Sequence, residues 1–359
     1  MELEILPMDQ NIFEKAINFK LEIFKLAHTF EDEKKFWVWK YLTNPYKMNG
    51  VPHGYVLKQQ DNVFGIIGQF ALPIKIGAIE TTGYAACDFS VDEDFRTYGL
   101  FLANKFWRDA RPSVSLSTSV NRASFNIHKK FGAEDLEIGC ISMMRVINYK
   151  KTIRMFFKYR EKGMQEERLE NNTMTNLSSS LFKTLFKYDF KKFPSGMTVS
   201  SINNFNKEFD DFWQKISINY EVAIVRDKKY LTWRYVNYPL KGTKIFAAYD
   251  RNGSLSGFIS LNKPLDNPYS NIAIDELFTK PDDYSSQNAL IKTAINYSKK
   301  EGVAALTATN FDLSLNNLFQ KNLFFEMKSA NSKYLYKFNG SPPENNRWYT
   351  SGGDGDVSF

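Results

Sequence analysis

Residues 87–107 read CDFSVDEDFRTYGLFLANKFW and decide the fold of the region around them. An apolar strand leads through an acidic turn into a helix that opens with Arg96 and Gly99. A strand that ends in a tight loop at a helix N-terminus presents backbone N–H groups and the positive end of the helix dipole. Gly99 leaves room for a phosphate to approach the backbone, and Arg96 adds a cation at the rim. The segment predicts a pyrophosphate site, although one Arg-x-x-Gly match also occurs in ordinary turns.

A repeated segment indicates that the chain is built from two related halves. WKYLTNP begins at Trp39 and WRYVNYP begins at Trp233, and both the Trp pair and the Pro pair are 194 residues apart. After each copy comes the same order of patterns: a strand with Gly, a strand with an acidic residue, a long helix, a strand and a final helix. Tryptophan is rare enough for the match to favour duplication over chance.

Alternating strands and helices predict a mixed α/β (α+β) fold, in which each half has a mixed, partly antiparallel central sheet flanked by helices. The chain has 359 residues, which is long enough for two cores. We place the domains at residues 1–150 and 195–340. Residues 151–194 are predicted to be a helical, polar connector. Residues 341–359 are predicted to be a tail that packs through Trp348 and Tyr349 and is otherwise flexible.

Composition argues against several classes of protein. Two cysteines are too few for a disulfide framework, and neither is in a paired metal-ligand spacing, so no metal is predicted. The first residues, MELEILPMDQ, lack the positive charge and apolar run of a signal peptide. No apolar run approaches the roughly 20 residues that span a bilayer. These features favour a cytoplasmic protein.

The net charge of +7 suits an anionic partner. Basic residues alternate with Phe and Tyr in residues 148–163 and 181–193, which predicts amphipathic helices. A connector that buries its aromatic residues is the simpler interpretation, and a peripheral contact with the inner face of the membrane is the alternative. Nucleic acid is disfavoured as a partner.

The phosphate-loop segment resembles that of the GNAT acyltransferase family, which reads Arg or Gln, two residues, Gly, one residue, then Gly or Ala. The matching residues here are Arg96, Thr97, Tyr98, Gly99, Leu100 and Phe101. A second landmark of the family, an Asn followed by Ala, Tyr, Lys and Gly-Phe, is similar to NRASFNIHKKFGA at residues 121–133. The resemblance implies two tandem GNAT-like domains. The paired Trp-basic-Tyr segments look like those of GNAT proteins from surface-polysaccharide and glycan biosynthesis.

The resemblance also implies how acetyl-CoA would bind as co-substrate. Backbone N–H groups of Phe89, Ser90 and Val91 would hold the acyl carbonyl and the pantetheine arm. Residues 96–101 would hold the pyrophosphate, and Asn121 would lie near the pantetheine. Phe101 departs from the family pattern, which has a small residue there. In the second copy the loop position reads TKPDDYSSQNAL, without Arg or Gly, so the second half is predicted to bind no coenzyme A.

Two residues are candidates for catalysis, and each has a simpler alternative. Asp88 is the acidic residue of the central strand and would be the general base or an anchor for the substrate amine; in an alternating strand it faces away from Cys87 and Phe89. The alternative is that it bonds to backbone or to a basic helix. His128 occupies the family's Tyr position and, with a near-neutral pKa, would protonate the leaving thiolate. A partly exposed His on the helix surface is the alternative.

Other reactive or aromatic residues are assigned to the core. Cys87 has no motif that places a His beside it as a base, so a buried thiol is predicted rather than a nucleophile. Trp39, Tyr41 and Trp233 could form a platform for a sugar, but large aromatics more often fill cores, and core packing is predicted for all three.

The sequence therefore predicts an N-acyltransferase that moves acetyl from acetyl-CoA to an amine, such as an amino sugar or nucleotide-linked amino sugar in surface-glycan synthesis. An aminoacyl-tRNA-dependent ligase, which also pairs two GNAT-like halves, is one alternative, and salt-sensitive tRNA binding would identify it. A non-catalytic scaffold or glycan-binding protein is the other alternative.

Overall fold

The computed structural model describes residues 3–24, 29–109, 113–120, 122–136, 141–153, 196–264, 271–310, 313–327, 333–343 and 347–355. These residues form sixteen strands, numbered in chain order: β1 Glu4–Pro7, β2 Gly54–Gln59, β3 Asn62–Ile76, β4 Ile79–Val91, β5 Val114–Val120, β6 Glu134–Asp135, β7 Ile141–Val146, β8 Thr198–Ile202, β9 Val222–Ile224, β10 Lys241–Tyr249, β11 Leu255–Pro264, β12 Asn271–Thr279, β13 Ala305–Asn310, β14 Phe325–Met327, β15 Lys333–Phe338 and β16 Trp348–Tyr349. The α-helices with both ends described are α1 Phe13–Phe24, α2 Phe30–Trp37, α3 Gly99–Asp109, α4 Arg122–Lys130, α5 Lys207–Ser217, α6 Lys228–Leu231, α7 Tyr284–Lys300 and α8 Leu313–Lys321.

The strands form two mixed sheets. The order of the first is β1-β2-β3-β4-β5-β15-β6, with β9 on the far end of β3 and β16 beside β9. The order of the second is β8-β10-β11-β12-β13-β7-β14. In both sheets the described neighbours are antiparallel except for one central pair, β4–β5 or β12–β13, and the short β9–β16 pair. The predicted fold class is confirmed: two mixed, partly antiparallel sheets flanked by helices, in a repeated order.

Each half of the sequence contributes one strand to the sheet of the other half. β7, from the first half of the sequence, pairs with β13 and β14 in the second sheet. In return β15, from the second half, pairs with β5 and β6 in the first sheet. Each sheet is thus completed by the other half of the chain. The domain limits at residues 150 and 195 remain a prediction, and most of the predicted connector, residues 154–195, lies outside the described residues.

The repeated Trp residues meet where the two halves join. The Trp39 and Trp233 rings stack with centroids 4.6 Å apart and planes 10° apart. Trp39 Nε1 donates to the carbonyl oxygen of Trp233 at 2.9 Å, and Trp233 Nε1 donates to that of Trp39 at 3.3 Å. Reciprocal contacts of this kind indicate a local pseudo-two-fold axis. Trp39, Trp233 and Tyr41 are 4%, 4% and 1% exposed, which confirms the predicted core packing.

Local sequence explains the helices behind the first sheet. In α1, Phe13, Ala16, Ile17 and Lys20 follow the 3–4-residue spacing of one helix face, and all four are buried. The hydroxyl of Thr29 caps α2 by accepting from the backbone N–H of Asp32 at 3.2 Å. Acidic residues fill the first turn of α2, as the helix dipole favours. None of the described helices is both long enough and apolar enough to cross a bilayer.

Candidate acyl-transfer site

A gap opens between the central strands of the first sheet. β4 and β5 pair in parallel only from Tyr84–Ser115 to Ala86–Ser117, although β4 continues to Val91 and β5 to Val120. Beyond Ala86, no strand in the described part of the chain pairs with β4 on this side. Strand edges in such a gap carry backbone N–H and C=O groups without a ladder partner. Phe89, Ser90 and Val91 line this edge and are partly exposed.

A β-bulge begins the gap. Ile66 pairs with Ser90 and Gly68 with Cys87, so that Asp88 and Phe89 together face one residue of β3. Asp88 adopts the left-handed region, with φ of 51°. The bulge also makes the expected alternation wrong, because the Tyr41 hydroxyl lies 3.1 Å from Cys87 Sγ and 2.5 Å from Asp88 Oδ2. Both side chains therefore reach the same hydroxyl.

Asp88 is the centre of a buried ionic cluster. Its Oδ1 lies 2.7 Å from Lys20 Nζ, and its Oδ2 lies 2.8 Å from Lys40 Nζ. Lys20 Nζ also contacts Glu33 Oε1 at 2.5 Å, and Glu33 Oε1 accepts from Trp37 Nε1 at 2.9 Å. The four charged side chains are at most 8% exposed. Two cations and two anions balance, which is what permits their burial.

The ion pairs keep Asp88 ionised and weakly basic. Burial by itself would raise its pKa, but the ammonium groups of Lys20 and Lys40 outweigh burial and hold the pKa below its usual range. Burial likewise would lower the pKa of Lys20, but Asp88 and Glu33 leave it raised. The arrangement matches the predicted alternative of contacts to a basic helix. The role of general base remains a prediction, and the geometry does not favour it.

His128 lies behind the gap in a neutral state. It is 2% exposed, and its Nδ1 accepts from Trp107 Nε1 at 2.9 Å. Burial lowers its pKa to about 4. Its ring centroid lies 5.7 Å from that of Phe89. Both sequence expectations are therefore wrong in detail, since the ring is neither partly exposed nor close to a neutral pKa, and its role as an acid remains a prediction.

The lowered pKa of His128 predicts that the stability of the protein depends on pH. The unfolded chain, in which a His has a pKa of about 6.5, binds the proton more readily than the folded chain. His128 should therefore lower the free energy of unfolding as pH falls from about 6.5 to 4, by up to about 3 kcal/mol. His128→Asn keeps an acceptor for Trp107 but does not titrate, so it should lose less stability than the wild type between pH 7 and 4.5 in urea unfolding. Equal losses of unfolding free energy in the wild type and in His128→Asn would contradict a neutral His128.

The predicted phosphate loop is a 3₁₀-helix that continues into α3. It spans Glu93–Tyr98, and Asp92 caps it by accepting from Asp94 N at 3.0 Å. Arg96 is at the rim, with a side chain 71% exposed, and its Nη2 donates to Glu93 Oε1 at 2.6 Å. An exposed pair of this kind is worth little and is easily exchanged for another anion. Thr97 is exposed like Arg96.

One aliphatic residue and two aromatic residues complete the loop region. Leu100 and Phe101 are 37% and 58% exposed, and Tyr98 lies beside Phe101 with ring centroids 5.9 Å apart. Phe101 points to solvent, so its size does not crowd the start of α3.

Gly99 is the first residue of α3 and is not required by the chain's own packing. Its φ of −56° is helical and open to any residue. A Cβ at this position would lie 3.5 Å from Phe89 Cζ and 3.5 Å from Val91 Cγ2, which is ordinary contact. Without a side chain, the backbone of Gly99 itself lies next to Phe89 and Val91, which are beyond the last β4–β5 pair. This cradle fits a ligand that approaches the backbone closely.

Sequence analysis missed the lysine partners of Asp88. It also predicted Asn121 as a residue of the site. Asn121 lies outside the described residues, so its predicted contact with pantetheine stays a prediction. Lys20 and Lys40 were missed. A signal existed for Lys40, because the Trp-basic-Tyr run is repeated as Arg234 and Tyr235 in the second copy.

The second half contains a matching acidic centre. Ser260 pairs with Glu276 and Leu261 with Ile274, so a bulge lies at the same place in β12 as in β4. Glu276 Oε2 accepts from Arg226 Nε at 2.8 Å and from Tyr235 Oη at 2.9 Å. The parallel β12–β13 pairing likewise ends early, at Ile274 and Ala308.

A cavity of about 610 Å³ lies elsewhere. It is bounded by Glu80 at the start of β4, by Asp210 and Trp213 of α5, and by residues 227–233. Eight residues of strand separate Glu80 from Asp88, about 26 Å, so this cavity is not beside the gap.

Within the described ranges, no group of three His, Cys, Asp or Glu side chains is placed to hold a metal ion. Cys87 is a buried thiol, as predicted, and it lies 3.1 Å from the Tyr41 hydroxyl.

The fold is that of tandem GNAT proteins. A GCN5-related N-acetyltransferase from Anabaena variabilis has a TM-score of 0.59 at 11% identity, over 94% of this chain and 73% of that one. Saccharomyces cerevisiae N-myristoyltransferase with bound myristoyl-CoA has a TM-score of 0.58 at 13% identity, over 95% and 81%. A tandem GNAT protein from the clavulanic acid biosynthesis pathway has a TM-score of 0.54 at 10% identity, over 95% and 99%.

No protein-family profile and no curated protein sequence matches the chain. At these low identities, the likeness to solved structures establishes the fold and leaves the chemistry to be argued from the site.

Proposed function

We propose that the protein is an acyl-CoA-dependent N-acyltransferase that transfers acetyl from acetyl-CoA to an amine. The observation that supports this most is the gap between β4 and β5, which opens at the Asp88 bulge beside the Gly99 cradle. A gap of this form provides an unpaired strand edge for the amide groups of pantetheine. It also provides a helix N-terminus for the phosphates. Both features come from the first half of the sequence.

The residues of the gap fit a coenzyme A thioester, which supplies an activated acyl group when bound. The backbone edge at Phe89–Val91 would hold the pantetheine arm and orient the thioester carbonyl. The start of α3, with no side chain at Gly99, would receive the pyrophosphate, and Arg96 would exchange Glu93 for a phosphate oxygen. These contacts position the acyl carbon for attack by an amine entering the gap.

Asp88 and His128 would act by positioning rather than by proton transfer. The Lys20 and Lys40 pairs hold Asp88 in its left-handed conformation, and that conformation maintains the bulge. His128 accepts from Trp107 and packs against Phe89, which fixes one wall of the gap. In acyl transfer the amine loses one proton and the thiolate gains one, so water in the open gap can carry the proton between them.

The acceptor is proposed on the resemblance of the sequence to glycan-biosynthesis GNAT proteins. We propose an amino sugar or nucleotide-linked amino sugar in surface-glycan synthesis, handled in the cytoplasm. Residues 154–195, which carry most of the basic connector, lie outside the described residues, so contact with a membrane face stays a proposal.

The reaction is tested by release of free thiol from acetyl-CoA in the presence of a panel of amines, with amino sugars and their nucleotide-linked forms included. The expected result is thiol release that needs both the amine and the wild-type gap and is lost in Gly99→Trp. Mass spectrometry should find the acetyl group on the amine nitrogen. Thiol release unchanged in Gly99→Trp would place the reaction elsewhere.

A non-catalytic acyl-CoA-binding or glycan-binding protein is the second candidate. Two observations favour it: Asp88 is neutralised by two lysines, and His128 is unprotonated at neutral pH. Saturable acetyl-CoA binding without acyl transfer to any amine would support it.

A further inference from the structure

The C-terminal segment enters the second half of the fold. Strand β16 pairs in parallel with β9, with Trp348 opposite Val222 and Tyr349 opposite Ala223. After it, residues 350–355 turn inward and form a short 3₁₀-helix at Gly352–Asp354. Asp354 is 1% exposed and Ser351 8%. The expectation of a flexible end beyond Tyr349 is therefore wrong for residues 350–355, which are hydrogen-bonded to the fold and, except for the partly exposed Gly352, buried.

The segment lies in the gap between β12 and β13. A Cβ at Gly352 would lie 3.5 Å from Thr309 Cβ on β13 and 3.7 Å from the carbonyl oxygen of Ile274 on β12. Ile274 is the last residue of β12 that pairs with β13. The segment therefore fills the space that opens where these two strands separate.

Gly353 packs more tightly against the surrounding chain than Gly352 does. A Cβ at this position would lie 2.2 Å from Tyr235 Oη and 3.0 Å from the carbonyl oxygen of Asp275. Real Cβ atoms do not come so close to other atoms, so only glycine fits between the Tyr235 hydroxyl and the bulge of β12.

Polar contacts fix the segment on both sides of Gly353. Asp354 Oδ1 accepts from Arg226 Nη2 at 2.6 Å, and Arg226 Nε binds Glu276, with all three side chains fully buried. Ser351 Oγ donates to Glu276 Oε2 at 3.0 Å, and Ser351 N donates to Asp354 Oδ2 at 2.9 Å. Arg234 Nη2 donates to the carbonyl oxygen of Gly355. Arg226 thus has two carboxylate partners, one of them supplied by the tail.

We propose that the gap between β12 and β13 is a peptide-binding site and that its resident ligand is the chain's own segment, residues 350–355. The segment binds as a separate ligand would, through glycines that allow backbone contact, one buried charge and a short strand that anchors it. It occupies the gap that corresponds by internal repeat to the β4–β5 gap. This comparison rests on the proposed function, under which the first gap holds coenzyme and the second cannot.

The test separates the tail from the folded chain after folding. A protease site inserted between Ser341 and Pro342, both exposed, allows the fragment that carries residues 342–359 to be cut from an intact protein. The expected result is that the wild-type fragment co-elutes with the body at micromolar concentration. With Asp354→Ala its dissociation constant should be at least about a hundredfold higher, because the buried Arg226 Nη2 and the Ser351 N–H then lose the carboxylate that accepts from both of them. Arg347→Ala, whose side chain is exposed, is the control and should be retained like the wild type.

A second measurement covers the case in which the Asp354→Ala chain does not fold. Labelled synthetic peptide of residues 347–359 should exchange into the cleaved wild-type protein, and the same peptide with Asp354→Ala should not. Prompt release of the wild-type fragment, or equal retention of both fragments, would overturn the proposal. No acetyl-CoA is present, so failure of coenzyme binding would count against the proposed function alone.

Discussion

Replacing Asp88 with Ala is expected to lower the free energy of unfolding by about 3–5 kcal/mol, the usual result of removing one partner from a buried ion pair. Lys20 and Lys40 would remain buried without their shared carboxylate. Ala would also have to adopt the left-handed conformation of Asp88, at a further cost of roughly 1–2 kcal/mol. Urea unfolding monitored by tryptophan fluorescence measures the loss.

An exposed ion pair of the same kind provides the matched control. Asp61 contacts Lys15 Nζ at 2.5 Å, but the two side chains are 90% and 46% exposed. Asp61→Ala should therefore leave the free energy of unfolding close to that of the wild type. If Asp88→Ala cost no more than Asp61→Ala, the cluster around Asp88 would not be the structural centre described above.

Replacing Gly99 with Trp is expected to weaken acetyl-CoA binding at least about a hundredfold. The side chain would leave α3 between Phe89 and Val91 and fill the mouth of the gap. Loss of two hydrogen bonds to a charged phosphate, at about 1.5 kcal/mol each, gives this magnitude. Isothermal titration calorimetry with acetyl-CoA measures it, and thermal unfolding verifies that the variant is folded.

Two control variants distinguish blocking of the coenzyme site from damage to the fold. Gly99→Ala makes ordinary contacts and should fold with equal or slightly higher stability, since Ala is the better helix former. Gly242→Trp places the same bulk where nothing lies within 4 Å and should bind acetyl-CoA like the wild type. Equal binding by Gly99→Trp and Gly242→Trp would show that the coenzyme does not use the start of α3.

The tandem fold could be predicted from the sequence because its signals are local or repeated. Trp39 and Trp233 identified the duplication, and strand and helix patterns followed each of them in the same order. The exchange of β7 and β15 could not be predicted, since a strand's pattern shows that one face is buried but does not show which sheet receives it. The gap between β4 and β5 was not predicted, because the family resemblance indicated only that the backbone of residues 89–91 would hold the acyl carbonyl and the pantetheine arm.

The candidate site was predicted less completely, for physical reasons. Lys20 lies on an amphipathic helix, where a lysine normally reaches solvent, and its partner Asp88 is distant in sequence. His128 precedes two lysines, a pattern typical of a helix surface, yet it packs under Trp107. The Gly- and Asp-rich end resembles a flexible tail because its glycines serve close contacts that only the fold reveals.

Hydrogen–deuterium exchange with and without acetyl-CoA tests the central claim most directly, because it locates the coenzyme on the chain. The account predicts protection of peptides that cover residues 89–101, the edge of β4 and the start of α3, and no protection of residues 275–283, the corresponding region of the second half. Protection at residues 275–283 or around the cavity near Trp213, with none at 89–101, would contradict it.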